Sequence, residues 1–436
     1  HCYEITGFNA YLDHYRATGE RKLLDAMVGA WEMLAEKWEH VGGSWALCEG
    51  GQYPPCSYFL THKGRTGELC CSVFWIKFNQ RFHRLYPDQE KYTAEIEKSI
   101  YNIGLANQDP ASGAIRYHAR MEGRKDAGTM NNTCCEGQGT RLFGSLPEYI
   151  YSIAEDGLYV NLFEPSTIEW KVGGKPVRLS METKFPLRPE VTLRLAVKQP
   201  VAMKLRVRVP GWATAEMPIC VGGRQVAVGK PGTYQTIDRT WADGEGVSFT
   251  LPMDFRVSCY TGEDQIAGHK RYALEYGPIL MAVAGPLDAQ NTVRILQCPR
   301  AVKKWLRPQP DRPLHFAVEG DPQHEYVPYW QIDKESFTVY PVIEPVAIKG
   351  PERFLKSARV ELASAIPESQ IRYTLDGTEP TAQSPVYARP LALGETATVR
   401  ARLFAGGAPA SDVVTQQFTR VALMPPPIRP AGDGKS

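Results

Sequence analysis

Near Glu155 the apolar residues stop recurring at every third or fourth position and begin to alternate, which confines the chain to helices followed by strands. Upstream, "RKLLDAMVGAWEMLAEKW" sets Leu24, Met27, Trp31, Leu34 and Trp38 on one amphipathic face. The theme returns in "QEKYTAEIEKSIYNIGLANQ" through Tyr92, Ile96, Ile100 and Ile103, and each copy follows a Tyr and a turn, "YRATGE" and "YPDQE". Such a repeat suits paired helices arranged in a ring. "SVFWIKFNQRFHRLY" over 72–86 adds an apolar helix, and "GTRLFGSLPEYIYSIAE" another, which Pro147 is expected to kink or restart.

Downstream, "GLYVNLF", "VTLRLAVK", "MKLRVRVP", "GVSFTLPM" and "YALEYGPILMAVA" alternate in twos between Gly, Pro and Asp breaks. They read as antiparallel strands of one or two β-sandwiches. A last unit from "IRYTLDGTEPTAQSPVY" to "ATVRARLFAGGAPASDVVTQQF" keeps that period, with a tight-turn signal at Asp376 and Gly377. The expected organisation is a helical domain over 1–154, β-sandwich structure over 155–345, a small β-sandwich over 346–423 and a Pro/Gly-rich disordered tail over 424–436. The opening "HCYEITGFNAYLDHYRATGE" reads as the middle of a domain, so the chain is expected to be N-terminally truncated.

Composition narrows the partners. Fifty basic residues against 48 acidic ones give no field to recruit nucleic acid or an anionic membrane, and no run of eighteen apolar residues supplies a membrane span. A neutral substrate fits better, and the 21 Tyr and nine Trp are of the type that lines sugar sites as well as cores. Ten cysteines are too sparse for a disulfide scaffold in 436 residues, yet Cys48, Cys56, Cys70, Cys71, Cys134 and Cys135 crowd into one stretch.

"GELCCSVFW" offers Glu68, Cys70 and Cys71, and "NNTCCEGQGTR" offers Cys134 and Cys135. One carboxylate with three thiolates makes a four-ligand set whose soft sulfurs favour zinc. Residues two apart diverge on a helix and share a face on extended chain, so Glu68 and Cys70 are expected just before a helix beginning near Ser72. Cys134 and Cys135 are expected in irregular backbone permitted by Gly137 and Gly139, again ahead of a helix. A helix N-terminus and a zinc ion both favour thiolate, so one cysteine of the pair can bind metal and also attack substrate. From spacing alone, a structural zinc site ranks ahead of a catalytic one.

The arrangement "HCYE…YRATGE", Gly42-Gly43 followed by Glu49, then "GELC" and "CCEGQGTRLFGSLPEYIYS…GLYVNLFEPSTIEW" resembles the β-L-arabinofuranosidases of glycoside hydrolase family 127 and the related family 146, over about residues 1 to 345. The resemblance implies part of an α/α six-barrel followed by antiparallel β-sandwich domains. It implies a retaining glycosidase that removes non-reducing-end L-arabinofuranose, or a similar sugar, from glycans through a zinc-bound cysteine. Carried onto this sequence, Cys134 becomes the nucleophile, Glu68, Cys70, Cys134 and Cys135 the zinc ligands, and Glu49 the general acid/base. His1 and Tyr117 fall where the family contacts the sugar. Three positions depart from the pattern: the Glu49 to Glu68 segment is longer than usual, Cys71 stands where a small residue is commoner, and Glu136 replaces a Pro. The last unit resembles the small β-sandwich appended to chitobiases and exported bacterial glycosidases, which implies an accessory role and an extracytoplasmic setting. Two other readings stay open at this point, a zinc-stapled carbohydrate-binding protein without catalysis and the same mechanism on a different glycoside.

Overall fold

The structure, a computed structural model, describes residues 2–44, 66–260, 269–289, 291–364 and 369–422. It divides into two compact units, the first holding 1–264, 271–293 and 303–341, the second 265–270, 294–302 and 342–436.

Among the described residues, five helices open the first unit: α1 (Cys2–Thr18), α2 (Arg21–Lys37), α3 (Leu69–Leu85), α4 (Glu90–Ser99) and α5 (Cys134–Ser145). Gly19, at φ 74°, closes α1 by donating its N–H to Tyr15 O, a left-handed cap that suits glycine. In α2 the expected face is the buried one, with Leu24, Met27, Trp31 and Leu34 in the core. It packs with Trp75, Phe78 and Phe82 of α3 and Tyr92 of α4. Helix α3 lies against α1, α4 and α5. Its start at Leu69 and that of α5 at Cys134 carry the residues of chemical interest. The six-barrel implied by the resemblance is not displayed by these five helices alone. Pro147 acts as expected: α5 ends at Ser145 and a single 3-10 turn, Leu146–Tyr149, leads into the strands.

The strands then form a sandwich. One sheet orders Thr233–Trp241, Val201–Val209, Gly157–Val160 and Tyr151–Ala154, and its partner holds six antiparallel strands between Ser166 and Thr250. Alternate residues of both sheets, including Leu158, Leu179, Leu193, Leu205, Ile219 and Trp241, meet in one core. A further sheet runs from Phe255–Tyr260 through Arg271–Tyr276, Ile279–Ala284 and Asp321–Pro328. Through Phe337–Thr338 it also pairs with Glu122–Gly123, which anchors the loop between α4 and α5.

Two buried polar assemblies fix the helices to the sandwich. Arg208 donates to Glu90 Oε1 at 2.7 Å and to Glu97 Oε2 at 2.9 Å, and Trp212 Nε1 donates to the same Glu97 oxygen at 2.6 Å. The second is a closed ring of five side chains. Asn161 Nδ2 donates to Ser152 Oγ at 2.9 Å while its Oδ1 accepts from Tyr234 OH at 2.9 Å. Tyr234 must then accept from Thr93 Oγ1, 2.8 Å away, leaving Thr93 to accept from His83 Nδ1 at 3.4 Å. His83 therefore carries its proton on Nδ1, and Nε2 accepts from Ser152 at 3.0 Å.

A protonated His83 has no acceptor for a second N–H in this ring. Burial, reinforced by Arg208 and Arg84 and opposed by Asp88, lowers its pKa to about 4. The depressed value means that the fold favours neutral imidazole. The resulting stability, about 3 kcal/mol, is present above the unfolded value near 6.5 and is lost as pH falls towards 4. Burial and Lys98 depress His40 in the same direction, to about 3. Urea midpoints are expected to fall steeply between pH 6.5 and 4, and His83→Gln should flatten part of that slope. An unchanged slope in the variant would remove His83 from this account.

The second unit is a small sandwich by itself. A three-stranded sheet (Ala347–Lys349, Ala358–Ala363, Leu391–Leu393) and a sheet built on Ala397–Ala405 and Val414–Arg420 share Val360, Leu362, Val399, Leu403 and Phe418. The Asp376-Gly377 signal is a turn, with Gly377 at φ 80° and Asp376 Oδ1 accepting from Thr378 N at 3.0 Å.

Candidate active and metal centre

Two helix starts, distant in sequence, meet at one place. Glu68 caps α3 with extended backbone (φ −58°, ψ 124°), so Cys70 lies inside the first turn rather than ahead of the helix. The expected helix start near Ser72 is thus three residues late. Glu68 still escapes the helical divergence, because only Cys70 of the Glu-x-Cys pair is helical. The segment ahead of α3 pairs with the Tyr117 loop: Leu69 N donates to Tyr117 O at 3.2 Å and Ala119 N donates to Gly67 O at 3.1 Å. Gly67 has φ 65°, and a Cβ there would lie 2.4 Å from Ala119 O, so this crossing requires glycine.

Thr133 and Glu136 form a capping box that sets where α5 begins. Thr133 Oγ1 accepts from Glu136 N at 3.3 Å, and Glu136 Oε2 accepts from Thr133 N at 2.9 Å. The other oxygen accepts from Thr129 Oγ1 at 2.6 Å and Asn131 N at 2.8 Å. The Thr129 hydroxyl first, then the backbone donors, hold the Glu136 carboxyl below its usual range. Glu136 is consumed in capping. Cys134 and Cys135 are consequently the first two helical residues, not part of an irregular stretch. Gly137 and Gly139 are helical as well. The use of Gly139 is close packing, since a Cβ there would come within 2.9 Å of both Ile115 and Leu69 side chains.

Glu68, Cys70, Cys134 and Cys135 each bring a donor atom into a group in which all four lie within 4.8 Å of one another. Cys135 Sγ is 3.3 Å from Cys70 Sγ, and Tyr117 OH is 3.3 Å from Cys134 Sγ. Glu68, Cys70 and Cys135 are buried, whereas Cys134 is exposed. Sulfurs around a tetrahedral zinc lie about 3.8 Å apart, as follows from a Zn–S bond of about 2.3 Å, so these side chains fit such an ion with little movement. The hydrogen bond with Cys135, then burial and the neighbouring thiol charges, push the Cys70 thiol far above its ordinary range. A divalent cation is the group that would reverse this suppression at Cys70. Both helices start at the cluster, and their N-terminal ends also favour negative charge there.

Of the residues singled out in the sequence, the structure therefore unites Glu68, Cys70, Cys134, Cys135 and Tyr117. His1 and Glu49 lie outside the described residues, as do Cys48 and Cys56. The sequence reading missed the contact from Cys71 Sγ to Glu68 Oε2 at 3.1 Å, although a separation of three at a helix start signals such a contact. No helix among the described residues is long and apolar enough to cross a membrane.

A family model described as β-L-arabinofuranosidase, GH127 catalytic domain, matches residues 10–148, and one described as the GH127 middle domain matches 157–253. A chitobiase/β-hexosaminidase C-terminal domain model matches 350–415. No curated protein sequence matches the chain. Among solved structures, a GH127 β-L-arabinofuranosidase from Geobacillus stearothermophilus T6 aligns with TM-score 0.63 at 20% identity over 78% of this chain. Another GH127 β-arabinofuranosidase aligns at 0.65 and 19% over 78%, and a protein titled glycoside hydrolase at 0.60 and 19% over 77%. The chain spans 60%, 59% and 65% of the lengths of these three, and at such identities the likeness concerns the fold. Two successive domain models of one family, in the order and at the positions where the helical layer and the first sandwich occur, identify this chain as a member of glycoside hydrolase family 127.

Proposed function

We propose that this chain serves a retaining glycoside hydrolase that removes non-reducing-end L-arabinofuranose from glycans, with Cys134 as nucleophile and Glu49 as general acid/base. The observation that carries the reading is the convergence of Glu68, Cys70, Cys134 and Cys135, in which Cys134 alone is exposed. A site that only stapled helices together would have no need to present one sulfur to solvent beside a tyrosine hydroxyl. Glu68, Cys70, Cys134 and Cys135 would hold zinc, which when bound keeps thiolates ionised at neutral pH and makes sulfur a better leaving group.

In the first step the Cys134 sulfur bonds to the anomeric carbon as the glycosidic C–O bond breaks, and Glu49 gives its proton to the departing oxygen. In the second, Glu49 takes a proton from water, the water oxygen bonds to the anomeric carbon, and the C–S bond breaks. Two inversions give net retention. Tyr117, 3.3 Å from Cys134 Sγ, is placed to hydrogen-bond the resting sulfur and then the sugar held against it. The chitobiase-like unit would have an accessory role.

Two measurements on one preparation test the proposal. Protein purified without added metal is expected to contain about one zinc per chain by elemental analysis and to release arabinose from an aryl β-L-arabinofuranoside. Dialysis against a strong chelator should remove both, and added zinc should restore both. Cleavage that persists at near-zero zinc would sink the metal assignment. Bound zinc without cleavage of any aryl glycoside in a panel would favour the zinc-stapled binding protein.

A further inference from the structure

The sulfur cluster leaves one neighbouring thiol without a role. Cys71 is fully buried in the helical core, yet its Sγ donates to Glu68 Oε2 at 3.1 Å. Its main-chain N–H donates to Glu68 O, also at 3.1 Å. Residue 71 thus holds the residue at the head of α3 by both its carbonyl and its carboxylate. Cys71 is not one of the four residues whose donor atoms lie within 4.8 Å of one another. Its sulfur therefore touches Glu68 without joining that group of four.

We propose that Cys71 is a positioning residue of the metal centre: its thiol engages one carboxylate oxygen of Glu68 and so fixes how that carboxylate is presented to Cys70, Cys134 and Cys135. This rests on the metal-centre reading above. The chemistry suits the place. A ligating carboxylate needs a donor behind it to fix its orientation. A neutral thiol supplies that donor without adding a further negative charge to a centre that already gathers one carboxylate and three sulfurs. Glu68 caps α3 through an extended backbone and makes no side-chain cap bond to the helix, so the helix end does not orient its carboxylate. Removing the thiol would take away one hydrogen bond that restrains the carboxylate and would raise the entropy lost on metal binding.

Metal titration of the whole chain, using zinc with a chromophoric chelator as competitor and cobalt(II) as a spectroscopic substitute, tests this without an activity assay. Cys71→Ala is expected to weaken zinc about 10–100-fold, with thiolate-to-cobalt charge-transfer absorption of the parent intensity. Cys71→Ser, which retains a donor, should stay close to the parent affinity. In a Glu68→Ala background, Cys71→Ala should add little further loss, because the thiol acts only through that carboxylate. Parent affinity in Cys71→Ala would overturn the proposal. So would loss of charge-transfer intensity comparable to that of Cys70→Ala, which would make Cys71 a ligand. A Cys71→Ser variant as weak as Cys71→Ala, or an undiminished loss in the Glu68→Ala background, would reduce Cys71 to packing. A parent protein that takes up neither metal would instead overturn the metal-centre reading, and this inference with it.

Discussion

Cys134→Ser is expected to lower turnover by about 10³-fold or more per zinc-loaded molecule. The substitution keeps the size and position of the side chain at the head of α5 but exchanges a sulfur that ionises readily for a hydroxyl that does not. The other three donors, all buried, remain able to hold metal. Activity and metal content should therefore separate. If the centre only braces the helices, the two should instead fall together, and activity per bound zinc should stay at the parent level. Cys135→Ser gives the contrast: Cys135 is buried against Cys70, so its loss should act first on metal affinity and only through it on rate. An electrophile shaped like arabinofuranose should label Cys134 as a single modified peptide by mass spectrometry. Label on Glu49 or Glu136 would transfer the nucleophilic role to a carboxylate. Glu136 is the less expected of the two, with both oxygens occupied at the cap of α5.

Much of this centre was legible because its residue types are chemically narrow. A carboxylate and three thiols in two short motifs restrict the ion before any fold is known. The helices were legible for a different reason: Leu24, Met27, Trp31 and Leu34 keep one face over about three turns, and the structure buries that face. Local placement was read less well. The spacing places Glu68 and Cys70 on one extended segment, since a helix would separate them. The chain instead puts the helix boundary between them, and an N-cap residue with extended backbone gives the same convergence one turn earlier. Gly137 and Gly139 suggest a loosened backbone, but the capping box of Thr133 and Glu136 starts a helix across them, and Gly139 lets α5 approach Leu69 of α3. The proximity of Tyr117 to Cys134 had no local signal to derive from. It depends on the crossing of Gly67–Leu69 with Tyr117–Ala119, a pairing between distant segments that only the close approach at Gly67 allows.

Glu49→Gln is expected to slow cleavage of substrates with poor leaving groups by about 10²–10⁴-fold, while zinc content stays at the parent value. The two values separate because the acid/base acts on the oxygen leaving the anomeric carbon, not on the metal. With an activated aryl leaving group the first step needs little protonation, so Cys134 should still be glycosylated at a rate near that of the parent. The second step still needs a base to take the proton from water. The variant should therefore release an initial burst of phenol and then turn over slowly, with the sugar held on Cys134. Azide, a nucleophile that needs no deprotonation, should discharge that sugar and speed steady-state release, giving an arabinosyl azide of retained configuration. Equal slowing of the first step on activated and unactivated substrates would count against Glu49. So would a slow steady state that azide leaves unchanged, since a base lost from the second step is the defect azide bypasses. Either result would move the search for the acid/base to another carboxylate able to reach both the leaving oxygen and the water that follows it.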